Sequence, residues 1–208
     1  MNQHAVNMKN ALNEYKKATE AAKQQIEFIT KTYGKEAGEA EKEIQAKKLE
    51  RARATAVDTI TKAAGAGHKE AEAWGRLDGS KLTDDVRLLD AGLVDKAEFD
   101  RLKAKYSGNY TMLHALRKYG EKQNKEAGDK IRSSGGDGLE AALAEPFNLR
   151  DIPTAEDKPK RWEKTQAQAL DLLDAMDGSG KYKNPHDWGA AFIQAAMPET
   201  LEHFGEDL

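Results

Sequence analysis

The sequence contains no cysteine. That excludes disulfides, zinc–thiolate centres, iron–sulfur clusters and thiol catalysis, and it is compatible with a reducing compartment. Proline is scarce, with five in 208 residues and none before residue 146. A long N-terminal stretch therefore carries no helix breaker of that kind. Bulky apolar residues are also few. Leu, Ile, Val and Phe together number 34, or 16% of the chain, too few for one thick core. The opening MNQHAVNMKN has no apolar signal core. The longest apolar stretch near the end, residues 189–197, is interrupted by Gln194 and is too short to span a bilayer. These shortages predict a soluble, unexported protein with no membrane contact.

What is present is alanine, 32 residues, and charge, one third of the chain. Mean hydropathy is −0.82. Net charge is only −3, so mixed signs argue against a self-repelling disordered chain. A composition of Ala, Glu, Lys, Leu and Arg favours long helices with thin apolar seams. The charge is unevenly placed: residues 1–66 carry +3, residues 67–135 carry +2 and residues 136–208 carry −8. Such polarity can orient a protein in an assembly. It is no nucleic-acid footprint, which would be clustered and strongly basic.

Residues 3–64 read as helix. Met8, Leu12, Tyr15, Thr19, Ala22, Ile26, Ile29 and Tyr33 recur at alternating spacings of four and three, a heptad seam. Ala37, Ala40 and Ile44 continue it after a stutter. Ala52, Ala56, Ile60 and Ala63 then form a narrow seam of mostly small residues. Gly34 and Gly38 are its weak points, each costing roughly 1 kcal/mol relative to Ala. The pattern leaves two topologies open: one bent helix, or a hairpin turning near Gly34.

Gly65-Ala66-Gly67 reads as the close of this section, with Trp74 an anchor in a further turn or two. A compact helical module follows. Thr83 is expected to cap residues 84–91, and Gly92 to stop them. Asp95 and Glu98 suggest a capping box, and Asn109 or Thr111 a cap for the helix carrying Met112, Leu113, Leu116 and Tyr119. Leu89, Leu93, Phe99 and Leu102 are its expected core. Ser133-Ser134-Gly135-Gly136-Asp137-Gly138 reads as a linker. Residues 139–144 suggest a short helix, and Pro146, Pro153 and Pro159 an extended stretch. Residues 162–176 are amphipathic again, and two short helices are expected around Trp188, Phe192, Ile193, Leu201 and Phe204. The expected fold class is all-α, a long N-terminal helix or helical hairpin followed by small helical modules. Its expected divisions are a helical segment 1–66, a module 67–132, a Gly/Pro-rich linker 133–160 with a short helix, and an acidic helical segment 161–208.

No catalytic set emerges. Asp177-Gly178-Ser179-Gly180-Lys181-Tyr182 matches the middle of a calcium loop, but that alignment puts Ala175 at the first ligand position and His186 at the bidentate acid. A Gly-rich turn accounts for it. Gly180-Lys181 lacks the remainder of a phosphate loop. His4, His68, His114, His186 and His203 include no pair at a helical metal spacing. Asp84/Asp85 and Asp171/Asp174 fit helix starts and solvent faces. The expectation is a non-enzymatic protein without metal, cofactor or catalytic residues.

Three features between about Tyr15 and Lys125 carry a resemblance. They are the Lys/Glu/Ala helix; Trp74-Gly75-Arg76-Leu77-Asp78-Gly79-Ser80-Lys81-Leu82-Thr83-Asp84-Asp85; and Leu88-Leu89-Asp90-Ala91-Gly92-Leu93, with Glu98-Phe99 and Lys105-Tyr106-Ser107-Gly108-Asn109-Tyr110-Thr111-Met112-Leu113 after it. Together they resemble a small helical protein encoded near the head genes of tailed bacteriophages. The resemblance implies a capsid scaffolding or head-accessory factor, a capsid protein as partner, and residence in the bacterial host cytoplasm or the virion. The alternative is a regulatory or packaging module touching nucleic acid through residues 81–119. Arg101, Lys103, Lys105, Arg117 and Lys118 are few for that task, and Asp90, Asp95, Glu98 and Asp100 offset them.

The seam also predicts assembly. Leu12, Tyr15, Ile26, Ile29, Tyr33 and Ile44 would lie along one stripe, while residues 68–135 need their own apolar side chains. Leaving a large apolar side chain in water forgoes about 1.5–3 kcal/mol. A homo-oligomer, most simply a dimer joined through the N-terminal helices, is therefore expected, with those six residues as its interface.

Overall fold

A computed structural model describes residues 2–136, 146–177 and 204. The described elements are α1 (Gln3–Tyr33), α2 (Lys35–Trp74), a 3-10 turn (Gly79–Lys81), α3 (Val86–Asp90), α4 (Lys96–Lys105), α5 (Tyr110–Ser133) and α6 (Asp157–Asp177). No strand occurs among the described residues. The protein is all-α. Expected helices at 139–144 and around Trp188 lie outside the described residues. The chain forms two compact units, one of residues 1–70 with 159–208, the other of residues 71–158.

The first unit begins with a hairpin. Asn2 caps α1, its side chain accepting from the His4 N–H at 2.8 Å. α1 stops at Gly34, whose φ of 91° suits a residue without Cβ. α2 starts one residue later and runs back antiparallel. His4 Nε2 stands 3.0 Å from Glu70 Oε1 at the open end. At the turn, a Cβ on Gly38 would strike Thr30 Oγ1, so the helices touch there through a glycine. Of the two topologies the pattern allows, the chain takes the hairpin.

The inward face of α1 is Ala5, Met8, Ala11, Leu12, Tyr15, Thr19 and Ala22, the first part of the heptad seam. Its counterpart on α2 is not the continuation through Ile44: Gly34 resets the helical phase, so Ala40 and Ile44 are exposed and Gln45 turns inward, while Ala56, Ile60 and Ala63 of the expected narrow seam are buried, with Ala64 and Gly67 beside them. Nor does Gly65-Ala66-Gly67 end the helix. α2 runs through it to Trp74. At Gly67 the missing Cβ makes room for the Trp162 indole of α6, so this glycine is a packing device rather than a stop.

α6 is the third helix of this unit. It begins earlier than the proline pattern suggests. Pro159 is its third residue, where the backbone N–H would have no intrahelical acceptor and a proline costs nothing in hydrogen bonds. Trp162, Thr165, Ala169, Leu172, Leu173 and Ala175 are buried at helical spacing. Near its end, Arg53 Nε donates to Asp177 Oδ2 at 2.6 Å, Arg53 Nη2 donates to Asp174, and the Tyr15 hydroxyl donates to Asp177. These bonds fix the register of α6 against both arms of the hairpin.

In the second unit, α3, α4 and α5 enclose Leu89, Val94, Phe99, Leu102, Tyr106, Met112, Leu113, Leu116 and Tyr119. Residues 146–156 lie across this core as a strap. Phe147 and Ile152 enter it, and the Phe147 ring sits 4.8 Å from Phe99 and 5.5 Å from Tyr119. Asn124 holds the strap as a neighbouring strand would: its Nδ2 donates to the Phe147 carbonyl at 2.9 Å, and its Oδ1 accepts from the Phe147 N–H at 3.0 Å. Leu93, expected in the core, is 71% exposed. Gly92 has φ 68°, the Gly92 N–H meets the Leu89 carbonyl and the Leu93 N–H meets the Leu88 carbonyl. This is a Schellman stop, and it swings Leu93 outward while Val94 takes the core position.

Candidate functional site

Two regions carry side chains that the core does not use. The first is the turn end of the hairpin. Leu12 and Tyr15, expected at an interface between copies, are buried within the chain. Ile26 and Ile29 are half-buried. Tyr33 is 68% and Ile44 49% exposed. The six residues therefore do not form one open stripe. Leu12 and Tyr15 are spent inside the hairpin and beside α6, and Ile44 points away from the α2 seam because of the phase reset at Gly34. What stays accessible is Ile26, Ile29 and Tyr33 on the α1 seam. Phe28, 58% exposed, stands off that seam, and no periodicity pointed to it.

The periodicity also did not show a groove between the helix arms. Ala18, Ala21, Ala22 and Gln25 line it from α1, and Glu41, Gln45, Lys48 and Leu49 from α2, around a volume of about 400 Å³. The described part of α6 ends at Asp177, level with Tyr15 and Arg53, and the groove opens beyond that level. Its alanines could have been recognised: three small residues, Ala18, Ala21 and Ala22, within one stretch of helix keep two backbones close without filling the space beside them.

The second region is the junction of the 78–85 loop with α4 and α5. It joins two of the sequence stretches on which the phage resemblance rests. Asp78 turns the loop by accepting from the Ser80 N–H at 3.0 Å, and its own N–H donates to Thr111 Oγ1 at 3.0 Å. Asn109 caps α5 through the Met112 N–H at 3.2 Å and donates to the Lys81 carbonyl at 2.8 Å. Asp85 Oδ2 accepts from Lys105 Nζ and from the Tyr106 hydroxyl, both at 2.7 Å. Because Tyr106 gives its proton to Asp85, Thr83 Oγ1 is the donor in its 2.7 Å bond to Tyr106. Thr83 is therefore no helix cap. α3 starts at Val86 without a side-chain cap, and the Thr83 hydroxyl is engaged across the junction. Asp95 does cap α4, accepting from the Glu98 N–H at 2.8 Å.

This junction is a hydrogen-bonded lock, its donors ending on the Asp78 and Asp85 carboxylates, the Lys81 carbonyl, the Asn109 amide oxygen and the Thr111 and Tyr106 hydroxyls. The Lys105 ammonium and Tyr106 hydroxyl bonded to Asp85 hold its carboxyl below the ordinary value of 3.8. A lowered acid contributes stability that is complete above its unfolded value and fades as pH falls through the folded one. Asp85→Asn should thus lower the denaturant midpoint of this unit at pH 7. The gap to the native sequence should narrow below about pH 4. Urea titrations followed by tyrosine and tryptophan fluorescence at pH 7 and pH 2.5 test it. A gap unchanged between the two pH values would show that the Asp85 charge contributes nothing.

The basic residues of 81–119 are mostly paired. Arg101 meets Glu98 at 2.8 Å, Lys103 meets Asp100 at 3.1 Å and Lys118 meets Glu121 at 3.5 Å. Arg117 donates to the Ile152 carbonyl. No group of three or more metal-binding side chains occurs among the described residues. The run after Asp177 that matches part of a calcium loop lies outside them. No described helix is long and apolar enough to cross a membrane. Comparison with family models, with curated proteins and with solved structures gives no match.

Proposed function

We propose that this chain is a non-enzymatic helical assembly protein, acting as a scaffolding or head-accessory factor of a tailed phage, and that it self-associates through its N-terminal hairpin. One observation carries the reading. The turn end of the hairpin presents Ile26, Ile29 and Tyr33 beside a groove floored by Ala18, Ala21 and Ala22 and edged by longer, mostly polar side chains, while the same seam nearer the open end is fully used. An extended arm with an unfinished seam at its far end suits a protein that completes its packing against another chain. The supporting sequence features are the phage-like stretches between Tyr15 and Lys125 and the acidic section after residue 135.

Light scattering at micromolar concentration should give twice the monomer mass. Ile26→Asp with Ile29→Asp should return the monomer mass and leave the circular dichroism of the second unit intact. A strictly monomeric native chain would overturn self-association. Co-expression with neighbouring head proteins, followed by electron microscopy, tests the role itself: particles of altered size or yield are expected. A steep salt-dependent shift of DNA in a gel would favour the nucleic-acid reading instead.

A further inference from the structure

The groove between the hairpin arms and the exposed Phe28 lie on one line. Ala18, Ala21, Gln25, Phe28 and Thr32 recur along α1 at spacings of three and four, which puts them on one face of the helix. This stripe runs beside the Met8–Tyr33 seam. Phe28 is its one large apolar side chain, so it does not read as a second seam. Ala21, Gln25, Phe28 and Thr32 are exposed. The two ends of the stripe differ in bulk. Toward the open end of the hairpin its alanines, with Ala22, floor the groove of about 400 Å³. Toward the turn, Phe28 projects with 58% of its surface in water, and the half-buried Ile29 borders it. Hollow and projection stand six to seven residues apart, about 10 Å along the axis.

A hollow and a matching projection on one surface are what a contact between identical copies requires, because a single two-fold axis then serves both. An axis midway between them passes through Gln25 and sets α1 antiparallel to α1 of the second copy. Each Phe28 lies over the other copy's Ala21 and Ala22, and each Ala18 faces the other copy's Thr32. The two Gln25 amides meet on the axis. A carboxamide carries both donor and acceptor, so two of them satisfy one another, and a single polar pair within such a contact fixes its register. No charged residue falls on the stripe, as suits the centre of an interface. Exposed charges flank it at both ends: Glu14 lies eleven residues before Gln25, and Lys35, past the turn, ten residues after it. The same axis brings Glu14 of one copy level with Lys35 of the other, whereas a parallel pairing would set Glu14 against Glu14, a like-charge cost.

We propose that the groove is filled by Phe28 of a second copy of this chain, in a two-fold antiparallel pairing of α1 centred on Gln25. This rests on the self-association proposed above and adds its partner surface and register.

The chain has no cysteine, so introduced cysteines report the pairing directly: a disulfide forms only where Cα atoms come within about 7 Å. Under mild oxidation, Gln25→Cys should give disulfide-linked dimers on a non-reducing gel. Ala21→Cys and Phe28→Cys should each link poorly alone and readily when the two chains are mixed. Phe28→Ala removes the projection and Ala21→Leu fills the hollow. Both change exposed positions, so the helical circular dichroism should be kept while the dimer dissociation constant, followed by light scattering on dilution, rises about tenfold or more. A native chain that is dimeric while Gln25→Cys stays unlinked would overturn this register and leave self-association standing. So would Phe28→Cys linking to itself as readily as to Ala21→Cys, or an undiminished dimer in Phe28→Ala. A monomeric native chain would overturn both.

Discussion

Phe99→Ala should lower the stability of the second unit by about 3–5 kcal/mol, the range for deleting a fully buried phenyl ring. Phe99 has no exposed surface. Its ring meets Phe147 from the strap and Tyr119 from α5, so three separate chain segments lose their shared contact at once. The hole cannot easily collapse. Phe147 is held by both hydrogen bonds to Asn124, and Tyr119 is held by its hydroxyl on the Val94 carbonyl at 2.8 Å. A domain of this size has a total stability of about 5–10 kcal/mol, so the variant should be partly unfolded at 37 °C. Urea unfolding with near-ultraviolet circular dichroism measures it. A loss below about 1 kcal/mol would mean that the strap does not close this core.

The second large effect comes from two glycines that stand two residues apart in one helix and should respond with opposite signs. Both lie in the interior of α2. A Cβ on Gly65 would meet nothing within 4 Å. Gly65→Ala should therefore stabilise the first unit by about 0.5–1 kcal/mol, by removing backbone freedom from the unfolded chain and improving helix propensity. A Cβ on Gly67 would run into three atoms of the Trp162 indole, a 4% exposed ring that cannot swing clear. The cost of that overpacking is about 1–3 kcal/mol and outweighs the same propensity gain. Gly67→Leu should approach the loss seen for removing the ring itself, about 3–5 kcal/mol for Trp162→Ala. Thermal melts of the two alanine variants are enough to decide. If both stabilise, α6 does not pack on α2 at Gly67.

The Gly67 result also explains where the sequence pattern misleads. A glycine at the end of a helix and a glycine at a close helix crossing look the same in one dimension. Propensity penalises both, and only the residue brought opposite distinguishes them. The same holds for Pro159, which reads as part of an extended stretch but sits in the first turn of α6, where a missing N–H is harmless. It holds for Leu93 as well: Gly92 was legible as a stop, yet the stop's own geometry turns the next residue outward and Val94 inward.

For the candidate site the division is similar. The α1 seam from Met8 to Tyr33 was legible, because seven-residue spacing on a helix puts those side chains on one face whatever they meet. Which of them remain open was not. Covering Leu12 and Tyr15 depends on α2 folding back, and Tyr15 depends further on Asp177, far away in the chain.

The sequence by itself determined that the chain is helical, where α4 begins, and most of the residues of the 89–119 module that face inward, apart from the exchange of Leu93 for Val94 and the burial of Tyr106. These follow from local causes: periodicity, a side-chain acceptor at a helix start, a glycine with positive φ at a stop. Tertiary structure alone decided that the N-terminal stretch is a hairpin, that its phase changes at Gly34, that α6 belongs with the hairpin, and that residues 146–156 close the other core. Those outcomes depend on contacts between segments up to 162 residues apart, whose energies are set by close approach and mutual burial and leave no periodic trace in either segment.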